Sequence, residues 1–313
     1  MGTPADVVTE LADDPDAVRE IGRALSAWFP ASTHPGGFAW EASTGQLPER
    51  MAVVRDGAGA LIGWAAFSTD DARVECAPDD DATTDLLAAW ILDAAGEGRT
   101  SVAVHRGQGR LRGILADRGF ADEAIPLAGL RHPARDTGAR PPAEYRIRPV
   151  AEGEEQAKVD AHRRAWKPVE LPFTDGSGDG IDPDAESPFD ADDYAAMRAA
   201  PVYRRELDLV VEAPDGSLAG TCTAWLDEAS GWAELEPLGI VPEHRRRGLA
   251  QTLALDVCRR VGELGGHDVF INASPLPYYR APWDAYVAAA FVPMERGTRM
   301  RPRARSARPT LAA

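Results

Sequence analysis

With 313 residues, of which 44% are hydrophobic and 27% charged, the chain has the composition of an ordinary globular protein and length enough for two domains. A net charge of −16 disfavours nucleic acid and anionic membrane as partners, and no apolar run reaches the roughly 20 residues of a membrane span. The three cysteines (Cys76, Cys222, Cys258) stand far apart and the six histidines form no i, i+3 or i+4 pair, so neither a disulfide framework nor a metal site is expected.

In chain order, the start Met1-Gly-Thr-Pro-Ala-Asp6 lacks the basic and apolar regions of a signal peptide, so a cytoplasmic location is expected. Pro15 to Phe29 predicts a helix with Val18, Ile21, Leu25 and Trp28 on one face. A loop rich in Gly, Pro and Ser is expected up to Pro48. Met51–Arg55 and Leu61–Phe67 then read as a hairpin around Asp56-Gly57. A strand at Arg73–Ala77, a helix at Thr84–Ala95, a strand at Ser101–His105 and a helix at Arg110–Arg118 follow.

The stretch 133–144 has the Pro, Gly and charge content of a linker, and after it the same order begins again. Tyr145–Val150 reads as a strand, Glu152–Trp166 as a helix, and Leu207–Val211 with Leu218–Trp225 as a second hairpin. The fold class expected is α/β with two tandem copies, each a mixed, mostly antiparallel sheet flanked by helices. Their boundaries are placed at 1–135, a linker at 136–144, a second copy at 145–302 and a disordered tail at 303–313.

Gly231 to Gly265 carries the densest chemistry. An apolar strand broken by Pro237 is stopped by Pro242, and a loop with Arg245, Arg246, Arg247 and Gly248 opens a helix on Leu249, Leu253, Val257 and Val261. A glycine-containing loop at a helix start, flanked by guanidinium groups, suits a pyrophosphate. Where the second half has this loop the first has Pro78-Asp-Asp-Asp-Ala-Thr-Thr-Asp85, whose carboxylates would repel such a ligand. Glu234 and Glu236 have the same parity on the strand before the loop, beside apolar Trp232 and Leu238, so both face one side if no bulge intervenes. A carboxylate there can accept a proton from an ammonium.

Arg245-x-x-Gly248-x-Ala250 resembles the (Q/R)-x-x-G-x-(G/A) signature of the GNAT acyltransferases, and Tyr286-Val-Ala-Ala-Ala-Phe291 is similar to that family's Tyr-x-x-x-Gly-Phe. The resemblance implies an N-acetyltransferase moving an acetyl group from acetyl-CoA to a primary amine of a small molecule by direct attack in a ternary complex, without a metal. It implies that Arg245, Arg246, Arg247, Gly248, Leu249 and Ala250 hold the pyrophosphate, that Leu238, Gly239 and Ile240 bind the acyl carbonyl and pantetheine, and that Asn272 contacts the cofactor. By the same resemblance Glu234 is the general base and Tyr286 donates a proton to the CoA sulfur, while Glu236 contacts the acceptor or has a structural role. The first copy then reads as degenerate. The insertion Val169–Tyr194, rich in Asp, would favour a cationic acceptor or simply be a solvated loop. A monomer or homodimer is expected. Two alternatives stay open: a non-catalytic CoA-binding or regulatory module, and an enzyme like the tandem mycothiol synthases.

Overall fold

The computed structural model describes residues 8–11, 15–96, 98, 100–124, 126–166, 187–273 and 280–303. Its elements run β1 (Val8–Leu11), α1 (Pro15–Trp28), α2 (Pro35–Ser43), β2 (Arg50–Arg55), β3 (Leu61–Phe67), β4 (Asp71–Cys76), α3 (Asp81–Ala95), β5 (Ser101–His105), α4 (Gly109–Asp117) and β6 (Phe120–Asp122). Then follow β7 (Leu127–Pro133), β8 (Arg146–Pro149), α5 (Glu155–Ala165), α6 (Ala191–Arg198), β9 (Asp208–Glu212), β10 (Leu218–Asp227), β11 (Trp232–Ile240), α7 (Leu249–Glu263), β12 (Asp268–Asn272), α8 (Ala281–Ala288) and β13 (Val292–Pro302). The fold is mixed α/β, as the sequence predicts, but α2 occupies what reads there as a loop.

Two compact units divide the chain: Met1–Ala17, Pro48–Leu127 and Arg296–Ala313 form one, and Val18–Leu47 with Ala128–Glu295 form the other. These units are not contiguous in sequence, so they differ from the expected division at 135 and 145. The reason is strand pairing. In the first unit Gly297–Met300 of β13 lies antiparallel to Val102–His105 of β5, and Met300–Pro302 also pairs with Phe120–Asp122 of β6. In the second, β7 pairs antiparallel with β12 along Gly129–Pro133, so a strand that follows the first repeat in sequence completes the sheet of the second.

The first unit orders β1-β2-β3-β4-β5 and the end of β13, with β4 and β5 parallel over Asp71↔Ser101 to Arg73↔Ala103. Its core joins Val54, Val74, Leu87, Ile91, Val104, Leu111 and Leu115 under α3 and α4. The second unit orders β7-β12-β11-β10-β9-β8. Every residue of β10 is buried, because helices cover both faces. Cys222, Ala224 and Leu226 join the core with Leu253, Val257 and Val261 of α7. On the opposite face the buried carboxylate of Asp208 pairs with Lys158 of α5 and accepts hydrogen bonds from Tyr194 (2.6 Å), Tyr203 (2.8 Å) and Thr223 (3.0 Å). A fully hydrogen-bonded buried pair of this kind fixes α5 and α6 on the sheet. The three cysteines are free and buried, and no helix among the described residues is long and apolar enough to cross a membrane.

Candidate active site

The site grows from a strand whose two neighbours treat it differently. β11 pairs antiparallel with β10 from Trp232 to Ile240, but with parallel β12 only at Trp232↔Asp268, Ala233↔Val269 and Glu234↔Phe270. Beyond Glu234 the parallel neighbours part, and the β12-facing backbone groups of Leu235 to Ile240 have no partner strand among the described residues. On the β10 side the register also slips between Cys222 and Ala224, opposite the Glu236-Pro237 step. Pro237 has no N–H to give to a ladder, and the indole of buried Trp225 donates to the Glu236 carbonyl at 2.6 Å, which holds the irregular turn of strand from behind. Leu238 and Ile240 are half-buried on this splayed segment, and Gly239 lies under the ring of Trp166: a Cβ at Gly239 would sit 2.3 Å from Trp166 Cζ3.

The loop after β11 carries two left-handed residues, Arg246 at φ 59° and Gly248 at φ 75°. Gly248 opens α7 with no side-chain cap, and among the described residues nothing takes the first N–H groups of the helix. Arg246 and Arg247 are exposed and, among the described residues, pair with no carboxylate. Arg245 instead turns inward, and its guanidinium donates to the carbonyls of Ile240 (3.0 Å) and Ala165 (3.0 Å), bracing the loop against the end of α5. Leu249 is buried in the core and Ala250 half-buried, which anchors the helix start. Uncapped amides, a helix dipole and two open guanidinium groups suit a pyrophosphate.

The two glutamates differ more than strand parity suggests. Glu234, 1% exposed, accepts from Gly37 N–H at 2.8 Å on Oε2 and from the Asn272 amide at 2.6 Å on Oε1. Asn272, expected at the cofactor, therefore gives its amide to Glu234. Glu236 is half-buried and, among the described residues, no donor reaches its carboxyl. Burial first, then the neighbouring charges of Glu234 and Glu41, push its pKa up to about 8.

Tyr286 lies on α8, 5% exposed, with its ring 5.7 Å from Phe291 inside the core that α7 shares. Ala290, at the family's glycine position, takes φ 62°. Of the acidic insertion, residues 167–186 lie outside the described residues, as do 274–279 before Tyr286 and the tail 304–313. Asp190 and Asp192 are exposed and Asp193 half-buried, but they start a helix rather than lie in a loop: Asp190 caps α6, accepting from the N–H groups of Asp192 and Asp193, and Asp193 accepts in return from Asp190 N–H. Sequence reasoning missed the contribution of α2, which brings Gly37, Trp40 and Glu41 to this face. It also missed a row of rings in which Trp166 stacks on His162 (4.3 Å), His162 lies tilted against Phe189 (4.4 Å), and Phe189 stacks on Trp40 (5.3 Å).

A split strand, an uncapped, arginine-flanked helix start and a half-buried carboxyl thus follow one another along a single strand–loop–helix run. Residues 179–281 match the model of the acetyltransferase (GNAT) family. Among solved structures, a tandem GNAT protein from the clavulanic acid biosynthesis pathway is similar with a TM-score of 0.53 at 17% identity, over 95% of this chain and 98% of that one. A GCN5-related N-acetyltransferase from Sphaerobacter thermophilus scores 0.52 at 17% identity over 94% and 95% of the two chains. A GNAT-family acetyltransferase from Colwellia psychrerythraea scores 0.57 at 10% identity over 94% and 98%. At these identities the likeness is one of fold, and it covers nearly the whole chain. No curated protein matches it.

Proposed function

We propose that the second unit transfers an acetyl group from acetyl-CoA to a primary amine of a small molecule, by direct attack in a ternary complex, with Glu236 as the base. The observation that carries this is the half-buried Glu236 carboxyl on the splayed strand, free of donors among the described residues and with its pKa raised to about 8. A base of that strength takes a proton from an ammonium far more readily than an ordinary carboxylate does. The loop Arg246–Ala250 would hold the pyrophosphate, and acetyl-CoA supplies the activated acyl group. Open N–H groups between Leu238 and Ile240 would stabilise charge developing on the acyl oxygen, and Tyr286 would return a proton to the sulfur. Glu41 and Glu236, together with the rings of Trp40 and Trp166, favour an acceptor that arrives positively charged.

Thiol release from acetyl-CoA across a panel of primary amines tests this. At least one amine should turn over, with kcat/KM rising through an apparent pKa near 8. Glu236→Gln should lower kcat by about 10²-fold or more and remove that limb. Calorimetric binding of acetyl-CoA with no turnover of any amine would instead make the chain a binding module.

A further inference from the structure

Glu234 stands where the family resemblance puts a base, yet both of its oxygens already accept from N–H donors. One donor, Gly37, lies 197 residues away in sequence, in the first turn of α2. That helix end presents its dipole's positive pole to the carboxylate. His34 sets its approach. Its Nδ1 accepts from Gly36 N–H at 3.0 Å, so Nε2 carries the proton and donates to the Trp232 carbonyl at 3.2 Å, two residues before Glu234. The contact is too close for side chains: a Cβ on Gly36 would lie 2.3 Å from Trp225 Cβ, and one on Gly37 2.7 Å from Glu234 Oε2.

We infer that Glu234 is a positioning residue, locked by the first turn of α2 and by Asn272, that acts on the acceptor only through Glu236. This rests on Glu236 being the base. A carboxylate that takes a proton from substrate must turn an oxygen toward it, and for Glu234 that would strip the half-buried Gly37 N–H or the Asn272 amide of its acceptor. Among the described residues, Glu236, two residues on, carries no such bond. Four residues of helix rise about 6 Å and two of strand about 6.8 Å, so α2 and β11 run in step. As Gly37 meets Glu234, Glu41 comes to Glu236.

Glu234 thus fixes the place of α2 and stands beside the base, where its charge raises the Glu236 pKa. Among the described residues, the charged groups acting on Glu236 are Glu234 on its own strand and Glu41 on α2; the Cys222 thiol on β10 belongs to the α7-side core, and burial raises its pKa well above its usual value. On α5, Lys158 is paired with Asp208, and burial and Lys158 push His162 down to about 3, so it is neutral in the working range.

Carbon-13 NMR titration of the Glu236 carboxyl, read beside the pH–rate profile, tests the inference. In Glu234→Gln the Glu236 midpoint should fall from about 8 by about one pH unit or more, staying above an ordinary carboxylate because burial remains, and the kcat/KM limb should move with it. His34→Ala should lower kcat without changing the KM for acetyl-CoA, and His34→Asn, which can still cap α2, should restore most of it. An unmoved Glu236 midpoint in Glu234→Gln would overturn the inference. So would a limb that vanishes in Glu234→Gln. A limb that survives Glu236→Gln would instead remove the base assignment on which it rests, and the NMR midpoint reads the coupling even if no amine in the panel turns over.

Discussion

The starts of α3 and α7 occupy the same place in two copies of one fold. Each helix follows a strand that pairs in parallel with the next over three residues. In the first unit Asp80 caps α3, accepting from Thr83 N–H at 3.0 Å and from the Thr83 hydroxyl at 2.7 Å, with Asp81 in the first turn. In the second, Gly248 opens α7 without a side-chain cap and arginines flank it. One helix end has been given its anion by the chain itself; the other is left to take one from outside. The strands repeat the contrast. Matching the parallel registers sets Glu75 of β4 against Glu236 of β11. Glu75 is fully buried and bonded to His105 at 3.3 Å, while Glu236 is half-buried with no donor among the described residues.

If that contrast decides which unit holds the cofactor, Gly248→Asp should weaken acetyl-CoA binding by about 100-fold or more, ~2.7 kcal/mol, because a β-carbon at φ 75° and a negative charge enter together. Calorimetry reads this directly, and one acetyl-CoA per chain surviving unchanged would move the site elsewhere. Arg246→Ala and Arg247→Ala should each weaken binding about 3- to 10-fold, with a flatter salt dependence than the parent. Asp80→Ala should leave acetyl-CoA affinity alone and cost about 1 kcal/mol of stability, seen as a lower Tm. Altered affinity there would give the first unit a ligand. The smallest effect separates the two turns after α4 and α8. Gly119 takes φ 84° in one, Ala290 φ 62° in the other. Ala290→Gly should therefore stabilise by about 0.5–1 kcal/mol in denaturant melts, and a loss would show that the Ala290 methyl packs to advantage.

The loop at Gly248 was legible because its residues act through backbone and local charge: a positive-φ glycine, a proline stop and an arginine run announce themselves within a few positions. The paired glutamates were legible as a face, since strand parity is local, but which of them is engaged depends on Gly37, far off in sequence. Helix α2 was not legible for the same reason. Pro35-Gly-Gly-Phe-Ala-Trp-Glu-Ala-Ser43 has two glycines and no apolar period, and it is helical because it docks on Trp225 and Glu234. Pro35 at the first helical position was the one local signal. The Asp190 and Asp193 pair carried a capping pattern that charge counting obscured.

Because Arg296–Pro302 supplies the strand that pairs with both β5 and β6, the unit that begins first in synthesis can be finished only last. Ribosomes deliver β2 to β6 in order, but two strands of that sheet must wait, with open edges, while the whole second unit is made. A nascent chain arrested before Arg296 should accordingly leave residues 50–122 open to protease, and release of the last segment should protect them. Protection already present at that arrest point would mean that the sheet closes without its final strand.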